Sequence, residues 1–109
     1  MISIAISLNP QDLVNPDLDL RYLIPEKIES ATDGKIQDNG YNYVDGDNIV
    51  VYMTTDKKEI IQKAIETIEK ETILGNKLAE SVVVGVNEGN GYEVVYPKNH
   101  NEAVKFEDD

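Results

Sequence analysis

The sequence predicts an α+β fold, the ferredoxin-like split βαβ arrangement, in which two helices cover one face of an antiparallel sheet that an extra C-terminal hairpin strand extends. Apolar residues alternate at a period of two in several segments and repeat at helical spacing in two others, and the segments follow in the order β-α-β-β-α-β. The length of 109 residues suits one domain, which we place at residues 1–98, followed by a polar acidic tail at residues 99–109.

The first strand and the first helix are predicted from the spacing of apolar residues. Residues 2–8 alternate isoleucine or leucine with serine or alanine, as in a strand with one buried face. Residues 19–32 have helical spacing, but Pro25 would remove a backbone donor inside the helix. Because proline suits the first helical turn, we expect a helix that starts at or is kinked near Pro25, with Gly34 as its C-terminal stop.

Two hairpins are predicted, one in the middle of the chain and one near its end. Residues 35–54 contain two alternating segments around a turn signal at residues 45–48. Residues 81–86 are a continuous β-branched run, and a glycine-rich turn separates them from a last strand that ends before Pro97. Tyrosine recurs at even spacing in this last strand, so its tyrosines should share one face of the sheet.

The second helix has the clearest pattern in the sequence. From Ile61 to Ile68, apolar residues repeat at i, i+3, i+4 and i+7, so this helix should bury one isoleucine-rich face. We expect Asp56 to be its N-cap, with Glu59 three residues later completing a capping box. Gly75-Asn76 is the expected end of the helix.

The charge of the chain limits the partners that it can bind. The net charge is −11, cysteine is absent, and the single histidine, His100, has polar neighbours and is expected to be exposed. A surface this acidic attracts cationic partners and repels nucleic acid and anionic membranes over about 8 Å at physiological salt. The lack of cysteine excludes a disulfide framework and a thiolate metal site. Since neither a secretory signal nor a membrane span is recognisable, we expect a cytoplasmic protein.

Patterns that could bind an ion, a phosphate or a substrate have simpler interpretations. Asp45 and Asp47, with Asp38 nearby, lack the ligand spacing of a calcium loop and are typical of a turn. The glycines at positions 85–91 lead into a strand rather than a helix, which favours a hairpin over a phosphate loop. No apolar neighbourhood singles out a carboxylate pair for acid–base chemistry. We predict no catalytic residue, no cofactor and no metal, and an enzyme of unrecognised type stays as an alternative.

The six tyrosines suggest a protein-binding surface. Tyr41 and Tyr43 share one face of a predicted strand and have acidic neighbours. Tyrosine offers rigid apolar area with a polar tip, which suits interfaces, although cross-strand packing on a half-buried sheet explains the same residues. A patch of tyrosines and carboxylates would fit a basic protein. The candidate partner-binding residues are Tyr41, Tyr43, Asp38, Asp45, Asp47, Glu88, Tyr92 and Glu93.

The last half of the chain resembles a known class of small acidic proteins. The resemblance lies in the stretch from Ile73-Leu74-Gly75-Asn76-Lys77-Leu78 to Val94-Val95-Tyr96-Pro97, within one acidic domain that lacks a catalytic set. In these features the chain is similar to the immunity proteins of bacterial toxin systems, including contact-dependent growth inhibition. The resemblance implies tight one-to-one binding to a cognate toxin domain, often a basic nuclease. It implies no individual functional residue, because these proteins share no single motif.

Two functions from different classes are compatible with the sequence. An inhibitory module would bind a basic partner at a rate that falls as salt is added, and it predicts an acidic surface that bears tyrosines. A small regulatory or ligand-sensing domain of the same fold would act as a homodimer through a sheet edge, and it predicts a cavity for a metabolite.

Overall fold

A five-stranded antiparallel sheet forms the framework of the molecule. The computed structural model describes residues 1–44, 46–97 and 104–107. In chain order the elements are β1 (Ile2–Leu8), α1 (Leu20–Ala31), β2 (Gln37–Val44), β3 (Asn48–Thr55), α2 (Ile61–Lys70), β4 (Thr72–Ile73), β5 (Asn76–Lys77), α3 (Leu78–Ser81), β6 (Val82–Asn87) and β7 (Tyr92–Tyr96). The strands of the sheet lie in the order β2-β3-β1-β6-β7, and each neighbouring pair is antiparallel. The predicted α+β class and antiparallel sheet are confirmed.

Both long helices pack on the same face of the sheet. Ile4, Ile6 and Leu8 of the central strand β1 point to this face, because side chains alternate along a strand. The buried helix residues that meet them are Leu20, Ile24, Ile28, Ile61, Ala64 and Ile68. Burial of each large side chain contributes about 1.5–3 kcal/mol, so apolar packing rather than surface charge fixes both helices.

Helix α1 carries a proline in its interior, so the predicted start at this residue is wrong. The helix begins at Leu20, and Pro25 is itself buried. An interior proline removes one backbone hydrogen bond and costs about 3 kcal/mol. The burial of Leu20, Ile24 and Ile28, each no more than 1 % exposed, offsets this cost. Tertiary packing therefore overrides the local preference of the proline.

Helix α2 begins and ends at residues other than those predicted. A short 3-10 turn, Lys58–Ile60, precedes it, and its N-terminus has no side-chain cap. The predicted capping box with Asp56 and Glu59 is therefore wrong. The face that must be buried begins only at Ile61, so the residues before it are free to form a tighter turn. The helix ends at Lys70, and the chain continues into β4.

The segment predicted to end α2 forms a small hairpin instead. β4 and β5 pair around Leu74 and Gly75, whose φ angles of 52° and 84° fit the two central residues of a type I′ turn. Asn76 is fully buried. Its amide nitrogen donates to the carbonyl oxygens of Asn15 and Ile73 at 2.7 and 3.2 Å, and its oxygen accepts from the Asn15 backbone amide at 2.9 Å. Asn76 thereby ties the hairpin to the loop before α1.

Val104 and Phe106 pack on the other face of the sheet. Phe106 is 5 % exposed, and its ring lies 5.4 Å from the ring of Tyr92. The ring also lies directly over Gly85, where a Cβ atom would come within 2.6 Å of it. Of the predicted tail, the structure describes residues 104–107. His100 lies outside the described residues.

Candidate functional site

The structure divides the candidate partner-binding residues between the two edges of the sheet. One group lies on β2 and in the turn after it: Asp38, Tyr41, Tyr43 and Asp47. The other group lies on the β6–β7 hairpin: Glu88, Tyr92 and Glu93. Three strands lie between β2 and β7, which corresponds to about 19 Å at the usual strand spacing. Asp45 lies outside the described residues. The two groups therefore form separate surfaces.

A cleft of about 730 Å³ opens beside the second group, between α2 and the β6–β7 hairpin. Its floor is apolar, because Ile61 and Ile65 of the helix face Val86 and Val95 of the sheet. Clefts of this size accommodate a small molecule or a few side chains of a protein partner. We refer to this feature as the cleft.

Carboxylates dominate the mouth of the cleft. Its charged lining residues are Lys58, Glu59, Glu69, Glu88 and Glu93. The Lys58 ammonium lies 3.4 Å from a carboxylate oxygen of Glu88, but both side chains are more than half exposed, so this ion pair contributes little stability. Within the described parts of the chain, Glu69 and Glu93 form no ion pair. An apolar floor below a negatively charged mouth suits an amphipathic cation.

A register shift places Tyr92 and Tyr96 on opposite faces of the sheet. The pairing of β6 with β7 shifts between Val84 and Gly85. Tyr96 pairs with Val84 on the helix-covered face and lines the cleft, whereas Tyr92 packs on Phe106 on the other face. The predicted shared face is therefore wrong, because a bulge adds one residue to one strand and reverses the alternation.

Tyr96 forms a fixed wall of the cleft. Its hydroxyl donates a hydrogen bond to the carbonyl oxygen of Ala79 at 2.9 Å. Burial raises the pKa of Tyr96 above its ordinary value, and the carboxylates of Glu69 and Glu80 raise it further. The phenol is therefore neutral at physiological pH, so it contributes apolar surface to the cleft without adding charge.

The helical side of the cleft was missed by the sequence reasoning. Ile65 and Glu69 of α2 lie one turn apart and both line the cleft. Ile65 is half-buried and Glu69 is exposed, and both border the buried stripe of the helix. The helical spacing in the sequence shows that Ile65 and Glu69 lie beside the buried stripe. It does not show that this side of the helix faces a strand that carries acidic residues. That juxtaposition depends on the pairing of strands distant in sequence.

At the opposite edge, three tyrosines surround the only arginine of the chain. The rings of Tyr22 and Tyr41 are 6.1 Å apart and those of Tyr41 and Tyr43 are 6.2 Å apart, both in edge-to-face contact. The Arg21 guanidinium lies 4.6 Å from the ring centre of Tyr22 and 5.1 Å from that of Tyr41, which is cation–π geometry. Because Arg21 already occupies these ring faces, the cluster is less suited than the cleft to receive a cation.

Replacing Arg21 with glutamine is expected to raise the pKa of the Tyr22 hydroxyl toward its ordinary value. In the native protein a hydrogen bond from Arg21 and its positive charge favour the phenolate, which lowers the Tyr22 pKa. An NMR pH titration of the tyrosine ring signals measures the change. Lys27→Gln removes one positive charge from the same helix and should leave Tyr22 unaltered. The same Tyr22 pKa in R21Q and the native protein would mean that this contact does not form in solution.

The two edges of the sheet differ in the hydrogen bonding of their backbones. Three β2 amides, those of Asp38, Gly40 and Tyr43, donate to side-chain oxygens of Glu29, Asp38 and Asn42 at 2.7, 2.9 and 2.9 Å. The pairing of β2 with β3 is also irregular between Asp38 and Tyr41. Both features protect an edge against pairing with another strand. β7 also has an irregular pairing, opposite Val84, but no side chain of a described residue bonds to its backbone, so this edge has only one of the two features.

Comparisons of the chain with family models, characterised proteins and solved structures found no match. Among the described residues, no group of three or more side chains is placed to hold a metal ion. Within the same ranges, no helix is long and apolar enough to cross a bilayer. We infer the function from the shape and charge of the cleft and from the sheet edge beside it.

Proposed function

We propose that this protein is an inhibitory binding module that neutralises a basic partner, such as a nuclease-type toxin domain, by tight one-to-one binding. The observation that carries the proposal is the cleft, with its apolar floor and its mouth of carboxylates. The net charge of −11 favours the approach of a basic partner in the same way. In this proposal the chain acts by covering a surface of its partner, as the immunity proteins that it resembles do, and not as an enzyme.

Charge and apolar area have separate roles in such a complex. The carboxylates steer a basic protein toward the cleft, and steering of this kind raises association rates toward about 10⁸–10⁹ M⁻¹s⁻¹ at low salt. The partly buried side chains of Ile65, Val95 and Tyr96 provide the contact area from which water is excluded, where binding energy concentrates. A nuclease holds phosphate groups with basic side chains, so the side chains that fit the cleft are those that the nuclease needs for its substrate.

We also propose that the fold is the ferredoxin-like split βαβ arrangement. Helix α1 connects β1 to β2, and β3 lies between these two strands in the sheet. Helix α2 lies on the connection from β3 to β6, and β1 lies between those two strands. Two split units of this kind within one antiparallel sheet support the assignment. β7 then extends the sheet beyond the four-stranded unit and supplies one wall of the cleft.

Replacing Glu69 and Glu93 together with glutamine is expected to slow association with the basic partner about ten-fold at low salt. The substitutions remove two carboxylates from the mouth of the cleft and keep its shape. Because salt screens exposed charges, the difference from the native protein should vanish at about 0.5 M salt. Surface plasmon resonance measures the rates, using a partner captured from the native host at low salt, identified, and then purified.

The matched control carries Asp12→Asn and Glu26→Gln, which remove the same charge from residues that do not line the cleft. This control should slow association much less than E69Q/E93Q does. Equal slowing by the two double variants would assign the effect to net charge and remove the cleft from the proposal. An association rate that does not depend on salt, or the lack of any basic partner, would contradict the proposed function itself.

A ligand-sensing homodimer is a second candidate, favoured by the size of the cleft. A volume of about 730 Å³ falls in the usual range of small-molecule sites, and the acidic mouth would select an amine or another organic cation. The protected edge of β2 and the charge of −11 on each copy oppose the pairing of two copies. Sedimentation together with a thermal-shift screen of small amines tests this candidate, and a monomer that no amine stabilises would eliminate it.

A further inference from the structure

We infer that the partner binds by adding an extended basic segment to the free edge of β7, as a sixth strand beside the cleft. This inference rests on the proposed function and names the binding mode at the same site. Among the described strands, β7 is hydrogen-bonded to β6 alone. In an edge strand, the amide and carbonyl groups of every second residue point away from the sheet. Those of β7 have no strand partner among the described residues.

The register of β7 specifies the residues that an added strand would carry. Glu93 pairs with Val86 on the helix-covered face, so its carboxylate lies at the cleft, whereas Val94 pairs with Gly85 and is 38 % exposed on the other face. Residues directly opposite on neighbouring strands have their Cβ atoms about 5 Å apart. A lysine or arginine opposite Glu93 would therefore form an ion pair, and an apolar residue opposite Val94 would extend the apolar surface. The fitting segment alternates basic and apolar residues.

Charge identifies the occupant as a basic segment rather than a second copy of this chain. Two copies paired through β7 would bring their Glu93 carboxylates to the same junction, beside the exposed Glu88 residues. Each copy also carries a net charge of −11, which opposes their approach. A basic segment instead gains from the unpaired carboxylates at the mouth of the cleft, Glu69 and Glu93 among the described residues. The recognition mode is β-strand addition with charge-selected side chains.

Two peptides with the same side chains test the inference on the full chain. The first is a peptide of about seven residues that alternates lysine and valine, which is long enough to span β7. The second is the same peptide N-methylated at every amide, so that it keeps its charge and loses its backbone donors. Binding is measured by calorimetry at low and high salt, and hydrogen exchange of the protein amides is compared with and without each peptide.

The first peptide should bind, and it should slow hydrogen exchange in β7 but not in β2. The methylated peptide should bind at least about ten-fold more weakly, because it cannot donate backbone hydrogen bonds to β7. Glu93→Gln should weaken the first peptide about three-fold, as expected for one cross-strand charge pair. Glu26→Gln, an exposed carboxylate of α1, should leave its affinity unchanged.

Equal binding of the two peptides, or unchanged exchange in β7, would overturn strand addition. If the affinity then still falls with salt and with E69Q/E93Q, the cleft binds cations without a strand and the proposed function stands. If neither peptide binds, strand addition is also overturned, and the association rate of the basic partner decides the proposed function separately.

Discussion

Replacing Phe106 with alanine is expected to lower the free energy of unfolding by about 3 kcal/mol. The ring packs with Ala5, Val44 and Val50 on the face of the sheet that the helices leave uncovered. Removal of a buried aromatic ring costs about 3–5 kcal/mol, and we take the lower value because water can fill the space above a sheet face. The backbone of Phe106 also accepts a hydrogen bond from the Tyr52 hydroxyl, which the substitution leaves in place. Urea denaturation followed by circular dichroism measures the loss.

Gly85→Ala tests the same contact from the side of the sheet. A Cβ atom at this position would lie 2.6 Å from a ring carbon of Phe106, so the ring would have to move. Such overpacking costs about 1–3 kcal/mol. In a protein that already carries Phe106→Ala, the Gly85→Ala substitution should cost almost nothing, because the obstructing ring is absent. Additive costs in the double variant would mean that Phe106 does not lie over Gly85.

Replacing Asn76 with alanine is expected to cost about 3 kcal/mol of unfolding free energy. Its fully buried side chain makes three hydrogen bonds, two of them to the backbone of Asn15. Loss of the side chain leaves these backbone groups without partners. Each unsatisfied buried group costs about 1–3 kcal/mol, and water that enters the site reduces this cost. Thermal and urea unfolding should both report the loss.

The control for this prediction is Asn15→Ala. It removes only an exposed hydrogen bond, from the Asn15 side chain to the carbonyl oxygen of Leu74 at 3.2 Å, and keeps both backbone contacts with Asn76. Its cost should stay below about 1 kcal/mol. Asn76→Asp keeps the acceptor and loses both donors, so its stability should lie between the stabilities of the two alanine variants. If the buried carboxylate is charged, its stability should be lower than both. Equal costs for the two alanine variants would contradict the role of the buried amide.

The strands and the second helix were predictable because their apolar residues follow simple periods. Residues 2–8 alternate along the whole of β1, and the stripe from Ile61 to Ile68 lies on the sheet as its spacing indicates. The helical stripe reflects burial on one side, which a local window of sequence records. In β1 the small residues Ala5 and Ser7 are buried as well, so the prediction of a single buried face is wrong for this strand. The α+β class and the extra strand β7 follow from their order along the chain.

The details that were not predictable depend on contacts between distant segments. Pro25 remains inside α1 because the sheet buries the residues around it, and Asn76 is fixed by a loop about 60 residues earlier in the chain. The bulge opposite Val84 separates Tyr92 from Tyr96, although nothing in their alternation marks it. The cleft combines a helix border with an edge strand, so only Glu88 and Glu93 of its acidic residues were among the candidates.

The unequal edges of the sheet limit how this protein can assemble. A sheet that pairs at both edges can add copies without end and grow into a fibre. Here the amides of Asp38, Gly40 and Tyr43 are already occupied at one edge, so a junction formed at the other leaves no second strand on which to continue. We therefore expect association through strands to stop after a single step instead of continuing into a fibre.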